Sequence, residues 1–212
     1  MGTLEALTLA LGTAWTSGIN LYATVAALGI AGRMEMIHLP ANLHVLMHPA
    51  VIAVACVMYV IEFVADKVPY VDNGWDVLHT FIRVPAGAIL AAQSVGEVNP
   101  ALEFAALLAG GAVALTAHGT KATARLAINA SPEPFSNWFA SVTEDLMVLG
   151  GLWMIFNHPV LMLLLLLTFL GLVVWLTPKF FRLAKRGFHT LRNRMRGIKD
   201  GEGALRDPST LG

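Results

Sequence analysis

The sequence predicts an all-α, polytopic membrane protein of about six helical segments, some of them broken or re-entrant, with an inverted internal repeat. Three observations lead there. The 212-residue chain is 56% hydrophobic and only 13% charged, with mean hydropathy +0.65, whereas soluble domains carry about a quarter charged residues. Apolar runs of about 20 residues, enough to cross a bilayer, recur along it. The ionisable residues between and within these runs fall at helical spacing, as on one face of a helix.

Taken in order, residues 4–32 read as two half-helices, LEALTLALGTAW and the segment after it, with Thr16, Ser17 and Gly18 at the junction and Asn20 and Tyr22 just beyond. Ser or Thr before Gly suits a helix cap, and the amide hydrogens of a second half-helix can hold a polar group. Residues 33–46 form a polar connection and 45–65 an apolar span. A helix over 72–95 carries Asp72, Asp76, His79 and Arg83 at i, i+4, i+7 and i+11. Glu62 and Asp66 sit one turn apart at the end of the preceding helix. Residues 96–100 read as a turn, with Pro100 opening the next helix.

From there the opening pattern recurs. LEFAALLAGG matches LEALTLALGT, and HGTKATARLAIN matches SGINLYATVAAL, which aligns Gly18 with Gly119 and makes Gly119 a second expected helix break. The segment EPFSNWFASVTEDLMVLGG can likewise be laid on VPYVDNGWDVLHTFIRVPAG. Three crossings in the first copy would make the second enter from the opposite side, as in the inverted repeats of many secondary transporters. The expected organisation is a transmembrane domain over 1–178, with repeats at about 4–95 and 101–156 and an extra span at 159–176. A basic, partly disordered cytoplasmic tail over 179–212 follows.

Charge distribution sets the orientation. Nine of the fourteen Lys and Arg lie after Thr177, which by the positive-inside rule places the C-terminus in the cytoplasm of an inner-membrane, multi-pass protein. A juxtamembrane basic segment points to anionic lipid rather than nucleic acid. The lone Cys56 excludes an internal disulfide. No cleavable signal is expected, because the N-terminus lacks a basic region and Glu5 comes early.

The second half holds its own polar stripes: His118, Lys121, Arg125 and Asn129, then Asn137, Ser141, Glu144 and Asp145. Lys121 and Arg125 are expected to pair with Asp72, Asp76, Glu144 or Asp145, since pairing is the cheapest way to hold charge in low dielectric. These ion pairs either lock the bundle or line a polar cavity for an ion or small charged solute. Asp72, Asp76 and His79 are weak metal candidates, as are His44 and His48, where Pro49 interrupts helical continuity. Ser141 with Glu144 and Asp145 lacks a histidine partner nearby in sequence, and no P-loop, G-x-S-x-G, H-E-x-x-H or dinucleotide motif occurs. No cofactor box is visible, and a bound ion is the one non-protein component suggested. Small-residue pairs such as Ala86-Gly87 and Gly110-Gly111 suit internal packing and homo-oligomerisation alike.

The segments SGINLYATVAALGIAGR, HPAVIAVACVMYVIEFVADKVPYVDNGWDVLHTFIRVPAGA and HGTKATARLAINASPEPFSNW resemble a family of small bacterial integral membrane proteins described only as a domain of unknown function. The likeness covers nearly all of residues 1–175 and implies a compact helical membrane domain. It implies no substrate, mechanism or site residue.

The functional expectation therefore comes from the residues: a small transporter or channel-like protein. Its site would comprise Asp72, Asp76, His79, Arg83, Lys121, Arg125, Glu144, Asp145, Asn20 and Asn137, shaped by helix breaks at Ser17, Gly18 and Gly119. The competing readings are a non-transporting scaffold or assembly subunit and an intramembrane enzyme acting on lipid.

Overall fold

The computed structural model describes residues 2–95, 99–129 and 134–205, and every regular element among them is helical. The order is α1 (Thr3–Ile19), α2 (Leu21–Arg33), a short 3-10 helix (Ala41–Met47), α3 (Pro49–Ala65), α4 (Pro69–Val95), α5 (Pro100–Asn129), α6 (Pro134–Asn157) and α7 (Pro159–Leu205). Proline opens each of the last five, where its missing amide hydrogen has no helical partner to lose. Three helical stretches are long and apolar enough to cross a membrane: Pro100–Asn129, Phe135–Asn157 and Pro159–Arg182. The 3-10 helix and α3 together make a fourth if counted as one span bent by 63°. This is a membrane protein's pattern. The three stretches are fewer than the six segments expected, because α1, α2 and α3 are short and α4 is polar through its first half.

The chain divides into two compact units, Met1–Thr168 and Phe169–Gly212. In the first, α4 and α5 pack most extensively, α1 lies against α4, α5 and α6, and α2 lies against α3, the 3-10 helix and α6. In the second, Lys179 Nζ stands 2.9 Å from the centre of the Trp175 ring, and α7 continues helical through Pro178 to Leu205. Residues 96–98, in the expected turn, and 206–212, at the end of the expected tail, lie outside the described residues.

Two expected helix breaks are corrected. The first lies at Asn20, beyond Ser17 and Gly18, both of which are buried inside α1. Asn20 is extended (φ −146°, ψ 101°), and its side-chain oxygen accepts the Ala23 amide hydrogen at 3.0 Å. Ser17 cannot cap because its hydroxyl donates back to the Ala14 carbonyl. The second break does not exist: α5 runs unbroken through Gly119. Thr116, Thr120 and Thr123 donate to carbonyls one turn back, so none of these hydroxyls is turned to cap a new helix start.

Gly18 is instead a contact surface. A β-carbon there would come 2.5 Å from the Ala114 carbonyl oxygen, and one on Gly87 would come 2.5 Å from Ala114 Cβ and 2.9 Å from Ser17 Oγ. α1, α4 and α5 thus meet backbone to backbone, as small residues allow in membrane proteins. Gly119 and Gly150 have nothing within reach. Gly18→Leu and Gly87→Val should therefore abolish the detergent-stable fold, measured as loss of a monodisperse size-exclusion peak. Gly119→Ala should keep it and raise stability by about 0.5–1 kcal/mol, the usual helix-interior difference between glycine and alanine.

Candidate functional site

Four helices bring their charged stripes to one place. Glu62 and Asp66 come from the end of α3, and Asp72, Asp76, His79 and Arg83 from the first half of α4. His118, Lys121 and Arg125 come from the second half of α5, and Asn137, Ser141 and Glu144 from the start of α6. Arg83, Arg125 and Glu62 are among the largest fully buried side chains of the described residues. The helical spacing read in the sequence is what turns each stripe to one side of its helix.

Three cations organise the cluster. Arg83 Nη2 donates to Glu62 Oε1, and its Nη1 donates to the Ile19 carbonyl at 3.2 Å. Lys121 Nζ stands 3.2 Å from Glu62, 3.4 Å from Asp66 and 3.2 Å from Glu144. Arg125 grips Glu144 with two nearly parallel bonds, Nε–Oε1 at 2.9 Å and Nη2–Oε2 at 2.8 Å. This is the fork geometry that makes guanidinium–carboxylate pairs strong. Arg125 also donates to Asp66 Oδ2 and Ser141 Oγ, both at 3.0 Å, and to the Asn137 carbonyl at 3.3 Å.

The pairing differs from expectation. Glu144 does bind both Lys121 and Arg125, but their other acidic partners are Glu62 and Asp66 rather than Asp72, Asp76 or Asp145. Asp72 is held by Asn129 Nδ2 at 2.7 Å, and Asn129 in turn takes a bond from Asn137 at 2.9 Å. Asp145 accepts from Tyr59 O–H at 2.7 Å and more weakly from Asn20 Nδ2 at 3.4 Å. Asp76 makes its ion contact with Arg83 Nη1 at 3.7 Å. Glu62, Asp66, Tyr22 and Tyr59 stood outside the candidate set. Two carboxyls one turn apart in an apolar helix are the signal for the first pair, since such charges require cations brought from elsewhere. Nothing in sequence ties Tyr59 to Asp145, 86 residues away.

Hydrogen-bond chemistry assigns both buried imidazoles. Arg83 can only donate, so His118 Nδ1 accepts from it at 3.2 Å. The ring proton of His118 therefore sits on Nε2, which donates between Thr80 Oγ1 at 2.8 Å and the Asp76 carbonyl at 3.0 Å. For His79 the order is reversed: Nδ1–H donates to the Trp75 carbonyl at 2.8 Å, and Nε2 accepts from Tyr22 O–H at 3.0 Å.

Among the described residues no three His, Cys, Asp or Glu side chains come together in a way that would hold a metal ion. The metal candidates Asp72, Asp76 and His79 each turn to a different neighbour, Asn129, Arg83 and Tyr22. Ser141 Oγ is engaged by Arg125. Several buried atoms lack a hydrogen-bond partner within the described residues: both carboxyl oxygens of Asp76, Asp72 Oδ1, Glu62 Oε2, Asp66 Oδ1, Asn137 Oδ1 and Arg83 Nε. A separate half-open cavity of about 1130 Å³ lies at the other ends of α1 and α4, with Glu5, His38, His44, Ser94 and Asn157 in its wall.

Removing one member of a buried ion pair strands its partners, typically at about 3–5 kcal/mol. Arg125→Met should cost stability on that scale, since it leaves Glu144 and Asp66 without their main cation. Adding Glu144→Gln should restore part of the loss. Unfolding midpoints in detergent for the two single variants and the double variant check this.

A family model described as Domain of unknown function (DUF4126) matches residues 7–179. Neither the curated proteins nor the solved structures give a match to this chain. The matched stretch takes in α2 to α6 whole, most of α1 and the start of α7, together with every residue of the charged cluster, and the chain belongs to this family of unknown function.

Proposed function

We propose that this protein is a small membrane transporter or channel-like protein for an ion or small charged solute, with the buried charged cluster as its central site. The observation that carries the reading is the imbalance of the cluster. Among the described residues, six acids (Glu62, Asp66, Asp72, Asp76, Glu144 and Asp145) stand against Arg83, Lys121, Arg125 and the neighbouring Lys67, so acid outnumbers base, and Asp76 has only the longest of the ion contacts. A structural lock needs matched pairs and gains nothing from surplus buried acid, whose uncompensated charge is costly. Surplus carboxyls with unpartnered oxygens are what a site that binds and releases a positive species requires.

The same reading takes the chain as two inverted halves, about 4–95 and 101–156, meeting at the cluster, with α5 corresponding to α1–α2 and α6 to α4. What supports it is that acids at the end of α3 face cations of α5 across the two segments. The basic C-terminal segment orients the protein in the inner membrane with its C-terminus in the cytoplasm.

The second reading is a non-transporting scaffold. One observation favours it: α3 presents Val54, Val57, Val60, Ile61 and Val64 outward, a continuous apolar face that a partner helix could cover as well as lipid.

Purified protein in proteoliposomes separates the two. Asp76→Asn should abolish flux of whichever ion the wild type moves while leaving insertion and the elution profile unchanged. Wild-type silence across a broad panel of ions and charged solutes, with the fold intact, would favour the scaffold. A cysteine placed at Asn20, which borders the cluster through Asp145, should react with a water-soluble maleimide, and its protection from either side would count against a wet central site.

A further inference from the structure

We propose that the species bound at this site is the proton, and that Asp76 is the group that carries it. The inference rests on the transport reading for its consequence, but its geometry stands apart. Asp76 is 4% exposed, and within the described residues neither of its carboxyl oxygens has a hydrogen-bond partner. Two other acids are better provided: Asp72 has Asn129, and Asp145 has Tyr59 and Asn20. Asp76 has one ion contact, the 3.7 Å approach of Arg83 Nη1. That nitrogen is already committed to the Ile19 carbonyl and His118 Nδ1, and the neighbouring Nη2 to Glu62.

Competing cations fit less well. A dehydrated alkali or divalent ion needs several oxygens converging on one point, typically six or more for calcium or magnesium. No metal-holding group of three acids or histidines forms among the described residues. A proton needs one oxygen.

The charged and titratable groups that act on Asp76 come from each surrounding element. They are Arg83 and Asp72 on its own helix, Lys121 on α5 and Glu144 on α6. His118 of α5 holds the Asp76 backbone carbonyl, and Glu62 of α3 holds Arg83 from behind.

The step balances simply. Loss of the O–H proton to water leaves a carboxylate beside Arg83 Nη1, which that carboxylate draws off His118 Nδ1 and the Ile19 carbonyl. The freed His118 nitrogen becomes an acceptor for an incoming proton, and the Ile19 carbonyl marks the junction of α1 and α2 at Asn20. Gain and loss of one proton would thereby be linked to the packing of α1 against α4.

Infrared difference spectroscopy of the full chain in lipid tests this without reference to transport. Wild type minus Asp76→Asn should show the carbonyl band of a protonated carboxyl, absent from the variant and bleached as pH is raised. Asp72→Asn should leave that band in place. Should Asp76→Asn fail to fold, Asp76→Glu serves, because the band must then shift in position. A wild-type spectrum with no such band at any pH where the protein is folded, or a band unmoved by both Asp76 variants, overturns the proposal. Flux lost in Asp76→Asn with no protonated-carboxyl band would leave transport standing and remove the proton. A band with no flux for any solute would keep the proton and remove transport.

Discussion

Arg83, Lys121 and Arg125 are buried charges, and in a low-dielectric interior each must be met by carboxylates held at short range. Their partners sit on other elements: Arg83 of α4 on Glu62 of α3, Lys121 of α5 on α3 and α6, and Arg125 of α5 on α3 and α6. That requirement joins α3, α4, α5 and α6 at one level. It also explains why α5 is continuous. His118, Lys121 and Arg125 keep a common side only if no break rotates one relative to the others, and a bend at Gly119 would turn Lys121 away from Glu62.

Such pairing does little for stability compared with apolar packing of the same volume, because desolvation offsets most of the attraction. What holds the α1–α4–α5 core is the close approach of backbones at Gly18, Gly87 and Gly110, filled by alanines such as Ala14, Ala91 and Ala114. Dispersion between closely spaced main chains drives association where lipid removes the hydrophobic incentive. The charged cluster therefore fixes which helices meet more than it adds stability, and on the proposed reading its surplus acids are where a charge comes and goes.

Much of this was legible from residue spacing. The period of the acidic stripe on α4 and of the basic stripe on α5 survives as one buried face each, since helical geometry converts i, i+4, i+7 directly into a side. The proline-led helix starts at Pro100 and the break after residue 18 were also visible, although the break came at Asn20. Capping explains the offset: Asn20 has both the extended backbone and a side-chain oxygen free to accept Ala23 N–H, whereas Ser17 spends its hydroxyl on its own helix. Gly119 misled because glycine is permissive of a break without requiring one.

Composition and periodicity were sufficient for the helical class, the membrane character and the identity of the charged residues, because these depend on local backbone geometry and on the cost of exposing or burying each side chain. Partner choice lay beyond them. Whether Lys121 meets Asp76 or Glu62, and whether Asp145 meets a cation or the Tyr59 hydroxyl, depends on how α3 and α6 dock against α4 and α5. Docking is set by contacts between residues far apart in the chain. Those contacts left Asp76 buried beside an already committed arginine.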